Sequence, residues 1–159
     1  MAGMAAINVN IVAVDHPSLD VDLDRFLTEL RSERRHIGPP ARTNTAPLPS
    51  LVTSLRGRGG FRIAAVECGR VIGLVRVDGA GAVWIAVAAH RRGWGIGAAL
   101  GRAALERAIA MNYPRLVIHS VRRSWAIRRT AERLGCVVVE PERGRTELIL
   151  DLNEHRRSA

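Results

Sequence analysis

The sequence predicts a mixed α/β domain in which a central, mostly antiparallel sheet is flanked by helices. Three observations carry this expectation: a helix-period stretch follows the first strand-like run, Val- and Ile-rich runs separated by turn residues fill the middle, and strands alternate with helices after that. The 159 residues suffice for one domain with a proper core and are too few for two. No internal repeat appears.

Ile7 to Val14 reads as the first strand, stopped by Pro17. Leu23, Phe26, Leu27 and Leu30 then fall at i, i+3, i+4 and i+7, the apolar stripe of an amphipathic helix. Ser18 or Asp20 can cap it. Asp20, Asp22 and Asp24 at its start and Arg31, Arg34 and Arg35 at its end complement the helix dipole, and Gly38-Pro39-Pro40 ends it. Residues 39 to 50 carry four of the seven prolines and read as a loop, with a weakly marked helical turn around Leu48 to Leu55 and a break at Gly57 to Gly60. Phe61 to Glu67, Val71 to Val77 and Ala82 to Val87 are strands joined by Cys68-Gly69 and Asp78-Gly79, an antiparallel meander.

Leu100, Ala104, Ala108 and Met111 repeat at helical spacing until Asn112-Tyr113-Pro114. Leu116 to Val121 is a strand. A second helix runs from Ser124, its N-cap, to Gly135. Val137 to Val139 and Thr146 to Leu150 form a last pair of strands around the turn Pro141 to Gly144, and the Arg-rich tail from Asn153 to Ala159 is expected to fray.

Composition narrows the function classes. The chain carries 24 basic residues, all arginine, against 15 acidic ones, for a net charge of +9. That balance favours anionic partners, a phosphorylated cofactor among them. The arginines are spread along the chain and interleaved with few aromatics, which argues against a specific nucleic-acid surface. No apolar run approaches the roughly 18 residues of a membrane span, and the N-terminus has no secretory pattern, so a cytoplasmic protein is expected. Cys68 and Cys136 stand far apart without metal-ligand spacing; reduced thiols and no metal site are the expectation.

The segment Arg91-Arg92-Gly93-Trp94-Gly95-Ile96-Gly97-Ala98 carries the chemistry. Glycines spaced by two let a strand turn abruptly and let backbone approach a ligand closely. The helix that follows offers unpaired N–H groups and a positive dipole end, a seat for a pyrophosphate to which Arg92 adds charge. A P-loop would need Gly-Lys-Ser/Thr, and Gly97-Ala98-Ala99 has neither lysine nor hydroxyl. A dinucleotide site would need an acid on the next strand, which instead ends in His119 and Ser120. The pyrophosphate of coenzyme A is the third option.

The stretch Arg92-Gly93-Trp94-Gly95-Ile96-Gly97 resembles the signature of the Gcn5-related N-acetyltransferases (GNAT), Arg/Gln-x-x-Gly-x-Gly/Ala between a strand and a helix. Ala131-Glu132-Arg133-Leu134-Gly135-Cys136 resembles the family's helix ending in Leu-Gly-Phe. The resemblance covers residues 61 to 150 and implies one N-acetyltransferase domain over residues 1–159. It implies acetyl-CoA as acyl donor, with the backbone of Arg92, Gly93, Trp94, Gly95, Ile96, Gly97 and Ala98 around the pyrophosphate. Val87 is expected along the pantetheine arm, and Ser124 stands where members have a cofactor-touching asparagine. The acceptor would be a primary amine on a small molecule or a protein, of acidic character if the arginines near it speak for it; whether the chain forms a homodimer is left open.

The chain departs from the family where proton transfer is usually arranged. Ala89 replaces a frequent proline, and Ala131 stands where many members place a tyrosine general acid. His119 falls where some members have a strand glutamate, and an imidazole with an ordinary pKa of about 6.5 suits a base at physiological pH. Glu67 and His90 are weaker candidates near strand ends. These substitutions keep a rival alive: a catalytically degenerate acyl-CoA-binding or sensing domain.

Overall fold

The computed structural model describes residues 8–14, 19–33, 48–119, 129, 131–142 and 145–158. In chain order its elements are β1 (Val9–Ala13), α1 (Asp20–Glu33), α2 (Leu48–Arg56), β2 (Phe61–Glu67), β3 (Arg70–Val77), β4 (Val83–Val87), a 3-10 turn (Ala89–Arg91), α3 (Ile96–Ala110), β5 (Arg115–His119), β6 (Val137–Glu142), β7 (Arg145–Asp151) and α4 (Leu152–Ser158). Arg129 and residues 131–133 are helical, where the helix from Ser124 to Gly135 is expected; half of that helix, Ser124 included, lies outside the described residues. Its end is described: Gly135 takes φ 85°, and Cys136 N–H donates to Ala131 O, which closes the helix on a left-handed glycine.

The expected meander is present. β1, β2, β3 and β4 pair in that order, all antiparallel, and β5, β7 and β6 form a second antiparallel set. The single sheet expected from the sequence is therefore divided. β4 and β5 meet only at a parallel bridge between Ala82 and Val117, where Val117 N–H donates to Gly81 O at 2.9 Å. Gly81 makes this junction close: a Cβ there would lie 2.3 Å from the Arg115 carbonyl oxygen, and its φ of +89° suits glycine alone. Past the bridge the two strands separate.

The pleat sorts residues onto two faces. Gly73 of β3 sits between Ala65 and Val87, and α3 rests on it, since a Cβ there would be 3.0 Å from Leu100 Cδ1 and 3.2 Å from Ile96 Cγ2. On the opposite face lie Leu74, Ala86, Arg76 and Trp84, against α1 and α2. The predicted stripe Leu23, Phe26, Leu27 and Leu30 is buried there. The weakly marked helical turn around Leu48 to Leu55 is present as α2, which takes in residues 48 to 50 from the end of the expected loop: Val52 and Leu55 bury one side of the helix, and buried Arg76 donates to Ser54 O, Arg58 O and Gly59 O at and just past its C-terminus. The guanidinium lies 5.4 Å over the Trp84 ring, so the positive charge is met by helix-end carbonyls and a π face.

Two further expectations are corrected. The tail from Asn153 does not fray but forms α4: Asp151 Oδ1 accepts from Asn153 and Glu154 N–H as an N-cap, Leu152 is fully buried, and Arg156 donates to Ile109 O and Tyr113 O beside the end of α3. The turn from Pro141 is displaced as well, because β6 continues to Glu142; its register shifts between Val139 and Glu142, the irregularity that a proline without an N–H imposes on a strand.

α1 is fixed to the sheet by Asp22. Its carboxylate accepts Val71 N–H at 2.5 Å and the Arg25 guanidinium at 2.7 Å, while Arg25 donates back to Val71 O. The Arg25 hydrogen bond above all holds the Asp22 carboxyl below its usual range. A depressed carboxylate pKa stabilises the fold above the unfolded value near 3.8 and loses that contribution as pH falls through the folded value. Asp22→Asn should therefore cost about 1–2 kcal/mol at pH 7 in denaturant unfolding. The gap from wild type should close in acid, below the usual carboxylate range.

Candidate active site

The separation of β4 and β5 opens a cleft of about 490 Å³. Ile85 and Val87 line one wall, Leu116 and Ile118 the facing one, and Leu148, Leu150, Ala131, Leu134 and Cys136 extend the latter. α3 closes the cleft along Gly97, Gly101 and Ala104, whose small side chains leave the space open. Leu30 of α1, which packs on the opposite face, also lines it. The cleft thus passes through the sheet and touches both faces.

Among the described residues, the edge of β4 facing this gap is unpaired by β5 past the Ala82–Val117 bridge. Ala88 N–H donates to Ile72 O of β3, so strand alternation turns the N–H and C=O groups of Val87 and Ile85 the other way, toward the gap. Arg92 Nε donates to Val87 O at 3.1 Å, which places that carbonyl on the open side.

The glycine turn forms the mouth. Gly93 and Gly95 take φ of 81° and 80°, and among the described residues a Cβ on either would meet open space. Gly95 is the N-cap of α3 and supplies no side-chain cap, while Ala99 N–H already bonds Gly95 O. The N–H groups of Ile96, Gly97 and Ala98 precede the first intrahelical bond and face the mouth with the positive dipole end. Arg91 and Arg92 line the same mouth. The arrangement fits a pyrophosphate whose attached chain runs down the free edge of β4.

Of the residues singled out from the sequence, Val87, Arg92, Gly93, Gly95, Ile96, Gly97 and Ala98 line this one cleft. Trp94 does not; it stands at the rim, 57% exposed. His119 is the last residue of β5, its backbone in register with Glu147 and one residue beyond cleft-lining Ile118. Ser124 lies outside the described residues. Glu67 is held 2.6 Å from Arg91 in an ion pair, and His90 is exposed in the 3-10 turn.

Sequence reasoning missed Gly73 and Gly81, which seat α3 and fix the strand junction, and Leu30 and Cys136 as lining residues. Gly81 had a usable signal, a second glycine two residues past Asp78-Gly79. Both cysteines are free. Burial pushes the Cys136 thiol up to about 11, so it stays protonated at neutral pH and is a poor nucleophile.

No protein-family profile and no curated protein matches the sequence. Solved structures do match in fold. The GNAT domain of S. lividans PAT superposes at TM-score 0.64 and 20% identity, over 90% of this chain and 89% of that one. The yncA protein of Salmonella typhimurium, solved with its cofactor acetyl-CoA, gives 0.63 and 19%, over 92% and 95%. The ribosomal-protein-S18-alanine N-acetyltransferase of Escherichia coli gives 0.61 and 13%, over 89% and 90%. With its glycine turn, split sheet and through-going cleft, the chain has the fold of the GNAT-family acetyltransferases.

Proposed function

We propose that the chain is an N-acyltransferase that moves an acetyl group from acetyl-CoA to a primary amine by direct attack. The observation that carries the reading is the cleft through the sheet, with the glycine turn at its mouth and an unpaired edge of β4 along its wall. The acyl thioester supplies the activated carbonyl. The N–H groups of Ile96, Gly97 and Ala98 and the charge of Arg92 hold the pyrophosphate, and the Ile85 and Val87 backbone groups orient the arm. The apolar walls exclude water from the thioester. Access from the face of α1 and Leu30 gives the amine its own approach, so that both substrates can be bound together.

Direct transfer is favoured over an acyl-enzyme because Cys136, the one thiol lining the cleft among the described residues, is held protonated. His119 is the residue we assign as general base, deprotonating the incoming ammonium. Steady-state thiol release from acetyl-CoA with a panel of amines tests the proposal. Amine-dependent release is expected, and Cys136→Ala should keep it within about threefold. His119→Ala should lower it by about a hundredfold. Acetyl-CoA binding without release by any amine would leave a binding domain and end the enzyme reading. Loss of activity in Cys136→Ala would instead point to a covalent intermediate.

A further inference from the structure

Trp94 has a place in the site that the cleft itself does not explain. Gly93 and Gly95 on either side of it both line the cleft, yet Trp94 does not, because the two left-handed glycines turn the chain so that the indole is thrown outward at the rim. The residue is 57% exposed. It is nonetheless held. The Arg91 guanidinium lies 5.4 Å from the ring centroid, and Arg91 is itself fixed by Nε and Nη2 bonds of 2.9 and 2.6 Å to Glu67 Oε2, at the end of β2. One side of the indole therefore rests on an anchored cation, and much of the ring faces solvent.

An exposed, supported aromatic at the mouth of a pyrophosphate cradle is suited to stacking a base. The part of coenzyme A that leaves the cleft past the pyrophosphate is the nucleoside. We infer that Trp94, backed by Arg91, is the stacking platform for the adenine of the cofactor and sets a preference for the nucleotide form over the bare pantetheine arm. The inference rests on the acyl-CoA reading. Because Arg91 is already anchored, little ordering is left to be done when the base arrives. Base–aromatic stacking of this kind is worth roughly ten- to hundredfold in affinity.

The test is calorimetric titration of wild type, Trp94→Leu and Trp94→Phe with coenzyme A, 4′-phosphopantetheine and adenosine 3′,5′-bisphosphate. The expected result is that Trp94→Leu weakens coenzyme A and the bisphosphate by about tenfold or more, leaves 4′-phosphopantetheine within about twofold, and that Trp94→Phe restores most of the loss. Equal weakening of coenzyme A and 4′-phosphopantetheine, or no change with coenzyme A, overturns the adenine assignment while the cofactor reading stands. If wild type binds none of the three ligands, the cofactor reading falls and this inference with it. Melting curves of the variants establish that each is folded.

Discussion

Gly81→Ala should unfold this protein more readily than any other single methyl addition around the cleft. The new Cβ would sit 2.3 Å from the Arg115 carbonyl oxygen, which belongs to backbone and cannot rotate away. A φ of +89° adds the strain of a left-handed L-residue, and relief by moving the chain breaks the Val117 N–H to Gly81 O bond. Left-handed strain, overpacking and a lost hydrogen bond together come to about 3–5 kcal/mol. For a chain of this size that is a fall in melting temperature of roughly 10 °C, read by thermal unfolding at neutral pH. A variant that melts within a degree or two of wild type would show that the β4–β5 junction is not what holds the cleft in shape.

The second large effect is on binding. Gly93→Ala/Gly95→Ala places two methyl groups that, chain neighbours aside, meet no atom of the described residues within 4 Å, so the expected cost to the fold is left-handed strain, about 1–2 kcal/mol at each position. The same methyl groups stand in the turn whose backbone must touch the pyrophosphate. Acetyl-CoA affinity should fall by about a hundredfold, equivalent to about 2.7 kcal/mol, in equilibrium titrations. Gly97→Ala is the control within the same turn. It lies inside α3, and among the described residues its Cβ would meet only Val87 Cγ2 at 3.8 Å. Alanine there should add about 0.5–1 kcal/mol of stability and change affinity by no more than a few-fold. Equal losses in both variants would mean that crowding, and not the left-handed turn, governs the mouth.

These positions also show what could be read from the sequence. The meander, α1, α3 and the glycine turn were legible because each is written locally: alternation or helical period within one segment, with Asp-Gly or Gly-x-Gly at its edge. The junction at which β4 and β5 part was not written locally, since it depends on Gly81 meeting Arg115, residues far apart in sequence; only the family resemblance implied that the two strands separate. The docking of α4 is of the same kind. Asp151 and Leu152 carry the local signal of a capped helix, but a seven-residue helix is held by burial of Leu152 and by the bonds of Arg156 to carbonyls of Ile109 and Tyr113. In the site, glycine spacing marked the turn, and the family resemblance implied which residues around it line the mouth. Trp94 followed only as a member of the turn; its outward direction is set by two glycine φ angles.

The same contrast separates cofactor from chemistry. Glycines at fixed spacing constrain backbone and so announce a phosphate site. A general base is one side chain whose role depends on its surroundings, and His119 is assigned here by its place on β5 beside the cleft, with its function carried by the proposal above.

Hydrogen exchange with and without acetyl-CoA tests the central claim most directly, because it reads binding and its location together. The account predicts slowed exchange at the amides of Ile85 and Val87 on the open edge of β4 and of Ile96, Gly97 and Ala98 at the start of α3, with α4 unchanged. Unaltered exchange across residues 85 to 98 at saturating acetyl-CoA, or protection confined to another surface, would contradict it.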